Sequence, residues 1–156
     1  MNGEAAGRNA AEKVIRVAAL VILDGQQRVL TVRKRGTSRF MQPGGKPEPG
    51  EDGQQTALRE TQEEIGLVLE PTQLIPMGTF RAAAANESGF QVVCENYLVT
   101  LGEQAPEGLA ELRPAAEIEE IRWVGLQELT PAPDLAPLLT EQVAPAVRRL
   151  LDLPAL

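Results

Sequence analysis

The 156-residue chain has no histidine, a single cysteine, three lysines, three phenylalanines, one tyrosine and one tryptophan. Without histidine, and with Cys94 alone, there is no donor set for zinc, and no disulfide can close within the chain. The longest uninterrupted apolar run, Val17 to Leu23, has seven residues, far below the roughly 18 to 20 that a membrane-crossing helix needs. The opening MNGEAAGRNAAE has no apolar stretch of signal-peptide type. A cytoplasmic protein without a membrane partner is the expectation. A net charge of -7 also argues against a general nucleic-acid binder, because that affinity rests on a basic face. With so few rings, little is available for stacking on a base.

What is present suits an ordinary globular protein: 43% hydrophobic and 24% charged residues, with 14 glycines and 12 prolines. A chain of this length buries roughly 70% of its unfolded surface and needs no covalent staple. Residues 1–12 are small and polar without periodicity and read as a mobile tail, leaving 13–156 as one domain. Val14 to Leu23 has the β-branched, nearly continuous apolarity of a strand buried on both faces, and Asp24-Gly25 supplies a turn into a second strand near Arg28 to Arg33. This predicts a hairpin. Gly36 to Gly53 is dense in Gly and Pro and predicts loop. A helix follows, capped by Asp52 with Gln55 three residues on, and closed by Gly66. Leu74 to Ala85 and Phe90 to Leu101 predict a second hairpin, Glu103 to Ala116 a loop, and Ile118 to Val124 a strand. Asp134 to Leu153 is helical in pattern, but Pro137 and Pro145 require a late start, a kink or two short helices. The order of elements indicates an α/β or α+β domain.

Charge is distributed unevenly. Arg28, Arg33, Lys34, Arg35, Arg39 and Lys46 fall in a stretch with no acid, and the stretch from Pro47 to Glu70 then carries seven acids against Arg59 alone. At helical spacing Glu60, Glu63 and Glu64 share one face, while Leu58, Thr61 and Ile65, with Ala57 at the edge, face the core. Like charges so placed repel by roughly 0.2 to 0.5 kcal/mol per pair on an isolated helix. A divalent cation would convert that repulsion to attraction, and magnesium, which prefers oxygen ligands and substrate phosphate, suits the set. The plainer alternative is a solvated acidic face with Arg59 and Glu63 paired. Gly44-Gly45 in the preceding loop lets backbone approach a metal or a phosphate oxygen.

The segment from Gly45 to Leu67, GKPEPGEDGQQTALRETQEEIGL, resembles the Nudix box, G-x5-E-x7-R-E-U-x-E-E-x-G-U with U aliphatic. Gly45, Glu51, Arg59, Glu60, Glu63, Glu64, Gly66 and Leu67 all fall in place, and the one departure is Thr61 at an aliphatic position. The resemblance implies a Nudix-type α/β/α sandwich around a mixed β-sheet. It also implies a magnesium-dependent hydrolase, with Mn2+ as substitute, acting on a small nucleotide: a nucleoside diphosphate linked to another moiety. Carried over by position, Glu60, Glu63, Glu64 and the carbonyl of Gly44 are metal ligands, and Arg59 and Glu51 orient the carboxylates. A glutamate ahead of the Trp123 strand, Glu117 with Glu119 and Glu120 as rivals, binds metal or acts as base, with Glu60 as the alternative base. Substrate contacts are expected from Lys46 first, then Arg39, Arg33 or Arg35, with Phe80 as the stacking candidate. Trp123 and Cys94 are expected in the core. A homodimer is left open. The competing reading is a Nudix-fold module that binds a nucleotide without cutting it.

Overall fold

The computed structural model describes residues 13–102 and 112–153. The expected N-terminal tail and most of the loop from Glu103 to Ala116 therefore lie outside the described residues. Seven strands form one mixed sheet: β1 (Val14–Asp24), β2 (Arg28–Lys34), β3 (Phe40–Met41), β4 (Gly44–Gly45), β5 (Ile75–Ala83), β6 (Gln91–Gly102) and β7 (Ile118–Gly125). Helix α1 (Gly53–Ile65) packs on one face. A terminal helical run ending in α2 (Ala144–Leu150) packs on the other. This is the α/β/α sandwich around a mixed sheet that the resemblance implies. Central β1 serves both layers because side chains alternate along a strand: Ala18, Leu20 and Ile22 pack with Ala57 and Ile65 of α1, and Ala19, Val21 and Leu23 pack with Leu139, Val143 and Val147.

The β1–β2 hairpin exists only at its root. Asp24 closes the turn, its carboxylate accepting from the backbone of Gln26 and Arg28 at 3.0 and 2.8 Å, but Leu23 and Val29 are the one directly paired couple. Beyond them β1 runs parallel to β6 along its length, and β2 pairs with β7. The stretch expected to be loop contributes the missing partners: β3 pairs with Val32 and Arg33, and β4 pairs with Ala18 and Ala19. Two fragments of the Gly- and Pro-rich segment thus become short strands along β1 and β2.

Local chemistry sets the rest. Asp52 and Gln55 form the reciprocal capping box at 2.8 and 2.9 Å, and Gly66 ends α1 in the left-handed region at φ 75°. Thr61 is fully buried where an aliphatic residue was expected, and its hydroxyl donates to the Ala57 carbonyl at 2.8 Å. The terminal run starts at Pro137 and passes through a π-helical turn, Leu139–Val143, before α2. Pro145 has no N–H to give the carbonyl four residues back and its ring crowds that carbonyl, so the helix widens there instead of breaking.

Candidate active site

The capping box starts α1 beside the loop that bears Gly44 and Gly45, and the helix periodicity then distributes its charged residues between two neighbourhoods. In the first, the Arg59 guanidinium bonds both oxygens of Glu51 (Nε to Oε2 2.6 Å, Nη2 to Oε1 3.0 Å), both oxygens of Glu63 at 3.1 and 3.2 Å, and the Lys46 carbonyl at 3.1 Å. Its hydrogen bonds from Arg59 hold the Glu51 carboxyl down to about 2, helped by the Glu48 backbone N–H and the hydroxyl of buried Thr56. The same bond to Glu51 raises the Arg59 pKa. This knot staples the loop to the helix.

The second neighbourhood is undercompensated. Carboxylate oxygens of Glu60, Glu64 and Glu117 lie within 4.8 Å of one another. Glu64 is 1% exposed and accepts one hydrogen bond, from the Gly44 N–H at 3.1 Å. Burial pushes its carboxyl up to about 8, and the charges of Glu60 and Glu117 add to that; the Gly44 N–H and the positive charge of Lys34 oppose it. Glu60 is also raised, first by burial, then by Glu63 and Glu117, against the pull of Arg59 and Lys34. A Cβ at Gly44 would run into the Ala18 carbonyl oxygen and the Ala19 backbone, so that position requires glycine, and one at Gly45 would push the Glu60 carboxylate from its place. Three crowded carboxylates with no nitrogen or sulfur donor form a set that can hold a hard divalent cation.

Gly44 and Gly45 also wall a cavity of about 300 Å³ on the opposite face of the sheet from α1. Its lining is mostly aliphatic, including Ile15, Val17, Met41, Val92 and Leu138, and among the described residues no aromatic ring contributes. Lys34 stands at this cavity and exerts its charge on Glu60 and Glu64. Buried Gln42 completes the wall two residues before Gly44.

A NUDIX-domain family model matches residues 13–149. The chain belongs to the Nudix hydrolase family. It is 34% identical over 143 residues to the isopentenyl-diphosphate Delta-isomerase of Cutibacterium acnes, covering 84% of this chain and 69% of that protein. It is 33% identical over 93 residues to the asymmetrical bis(5'-nucleosyl)-tetraphosphatase of Rattus norvegicus, covering 60% of each. Among solved structures, a MutT/nudix family protein from Enterococcus faecalis superposes with a TM-score of 0.69 at 20% identity, covering 97% of this chain and 70% of that one.

The Nudix fold brings Glu60, Glu64 and Glu117 together and sets Glu63 apart, 48% exposed and bonded to Arg59. The rivals of Glu117 point elsewhere: Glu119 pairs with Arg35, and Glu120 with Arg33 at 3.1 Å. Lys46 is exposed on its loop and lends its carbonyl to Arg59. Arg39 donates to the Leu135 carbonyl at 3.4 Å and borders a shallow polar cleft with Thr37, Ser38 and Asn86. Phe80 is half-buried beside Cys94, packed into the layer under the terminal helix, and is not among the residues lining the cavity. Trp123 packs, partly exposed, against the α1-side core, with Arg28 over its ring. Cys94 is fully buried, and burial pushes its thiol up to about 12, as suits a small hydrophobe. Lys34, Gln42 and Thr56 were not singled out by sequence. Lys34 lies in the basic block, but its place at the cavity, where its charge reaches Glu60 and Glu64, comes from the fold. No helix among the described residues is long and apolar enough to cross a membrane.

Proposed function

We propose that the chain is a divalent-cation-dependent pyrophosphohydrolase. It cleaves the diphosphate bond of a nucleoside diphosphate linked to another moiety, a nucleoside triphosphate or nucleotide derivative, by attack of water at phosphorus. The observation that carries this reading is the carboxylate trio, Glu60, Glu64 and Glu117, backed against the two glycines that also wall the cavity. Glu60, Glu64 and the Gly44 carbonyl would hold Mg2+, or Mn2+ in its place, and Glu63 would join them by leaving Arg59. When bound, the cation supplies Lewis-acid polarisation of the phosphoryl oxygens and neutralises charge that develops there.

The chain's own residues do the remainder. Lys34 brings positive charge to the phosphate end of the cavity. Glu117 takes the proton of the attacking water as the water oxygen bonds to phosphorus and the bridging oxygen leaves on the other phosphate; Glu60, whose carboxyl burial raises, is the alternative. Arg59 and Glu51 hold the helix and the loop in register. The aliphatic cavity receives the organic group of the substrate.

A panel of nucleotide derivatives with Mg2+, read as phosphate after a coupled phosphatase, tests this. Turnover that vanishes in excess EDTA is the expected result. Tight nucleotide binding without cleavage would replace it with a sensing module. A second reading, an isoprenoid diphosphate as ligand, is favoured by the 34% identity to an isopentenyl-diphosphate isomerase together with a ring-free aliphatic cavity. Conversion of isopentenyl diphosphate to its isomer without phosphate release would establish it.

A further inference from the structure

Among the polar side chains at the cavity, which include Thr37, Asn86 and Glu87, Gln42 is buried and plays no part in the hydrolysis chemistry. Gln42 is 6% exposed, and its side-chain amide is held at one end only. Its Nε2 donates to the Leu20 carbonyl at 3.3 Å and to Asn96 Oδ1 at 3.0 Å, which uses both amide hydrogens. The direction of this chain of bonds is fixed by chemistry. Asn96, 1% exposed, donates through Nδ2 to the Cys94 carbonyl at 2.8 Å, and a carbonyl can only accept. Asn96 Oδ1 must therefore face Gln42, and Gln42 must present its nitrogen to Asn96. Gln42 Oε1 is left without a protein donor among the described residues. No fully enclosed side-chain polar atom among them lacks a partner, so Oε1 keeps open surface, and the space Gln42 lines is the cavity.

A buried acceptor whose orientation is fixed, set in a mostly aliphatic wall, selects for a donor. We propose that Gln42 is a specificity-determining residue whose Oε1 accepts a hydrogen bond from an N–H of the substrate's organic group. The preferred substrates are then nucleotides whose base carries an amino or lactam N–H, and a hydrocarbon group is disfavoured because it would leave the buried oxygen unpaired. This rests on the nucleotide pyrophosphohydrolase reading above. Asn96 is a positioning residue: it acts only by preventing the Gln42 amide from turning over. The two ends of the site are linked by the chain itself, since Gln42 stands two residues before Gly44, and Leu20 donates its N–H to the Pro43 carbonyl at 3.0 Å between them.

The test is a matched pair on the full chain with Mg2+. Purine riboside triphosphate lacks both the amino group and the lactam N–H, whereas ATP and GTP carry such donors on the same ring system. At least one of the two should exceed purine riboside triphosphate by about ten-fold or more in kcat/KM, carried mainly by KM. Gln42→Met, of similar size but with no acceptor of this kind, should bring that ratio close to one, and so should Asn96→Leu. Equal kcat/KM for purine riboside triphosphate, ATP and GTP in the wild-type protein overturns the proposal while leaving the hydrolase reading intact; that comparison needs no folded variant. An unchanged ratio in Gln42→Met overturns it too. Failure to cleave any nucleotide overturns the hydrolase reading and this proposal with it.

Discussion

Arg59 and Glu60 are neighbours on one helix, yet they belong to electrostatic surroundings of opposite kind. Around Arg59, Glu51 and Glu63 are matched by a guanidinium that bonds both oxygens of each, and the Glu51 carboxyl is driven down. Around Glu64, three carboxylates face one another against the Gly44 N–H, the charge of Lys34 and one edge of the Arg59 guanidinium 3.8 Å from Glu60, and the Glu64 carboxyl is driven up. The same residue type on one helix is thus held in ion pairs where its charge is answered, and able to take a cation where it is not.

Glu64→Gln should break the comparison most severely. If Glu64 holds the cation, activity should fall by more than the roughly 10- to 100-fold that outer-shell partners of a metal typically cost. The amide oxygen can still accept from Gly44, and a buried charge is gone, so melting temperature should hold or rise. A large loss of stability would mark Glu64 as structural. Arg59→Ala should do the reverse to the fold, lowering the melting temperature by about 2–4 °C, because Glu51 and the loop lose their staple.

The pH dependence of the metal-free protein sharpens the contrast. Burial holds the Glu64 proton in the folded chain up to about pH 8, against the ordinary carboxyl value of 4.5 once exposed. Stability from this group is therefore complete below about pH 4.5 and is lost as pH rises toward about 8, with a slope of at most about 1.4 kcal/mol per pH unit. Saturating Mg2+ should flatten that slope in denaturant titrations across pH 5 to 8. A flat profile without metal would show that Glu64 is not buried as a neutral acid. The smallest effect separates two lysines of the basic block. Lys34→Ala should raise KM about ten-fold, and Lys46→Ala should change it by less than about two-fold, with neither variant shifting the melting temperature. Equal effects would mean a general field and not a placed charge.

Features encoded within a few residues were legible in the sequence: the Asp52–Gln55 box, the Gly66 stop and the doubly buried β1 each follow from local chemistry. Pro145 was legible as a disturbance, although widening into a π turn required the packing of Leu139 and Val143 to hold the helix together. The carboxylate stripe was legible as one face, but its gradation from exposed Glu63 to buried Glu64 depends on the sheet and Gly44 beside it. Gln42 was hidden for another reason: a polar residue becomes part of an apolar wall only when its partner is supplied from elsewhere, here Asn96, 54 residues away. The limited pairing of β1 with β2 was likewise invisible, because the competing partner for β1 is a two-glycine strand too short to show any periodicity.

The insertion of Gly44 and Gly45 beside β1 also gives the protein an internal clock for its own openings. The Leu20 N–H lies in the most deeply buried strand, but it is bonded to the Pro43 carbonyl of the loop and not to a neighbouring long strand. Exchange of that single amide for deuterium requires the loop to leave the sheet, and with it the Gly44 contact to Glu64 and the Gln42 contact to Leu20. Its protection factor therefore measures the free energy of dismantling the site separately from that of unfolding the β1–β6 ladder beside it.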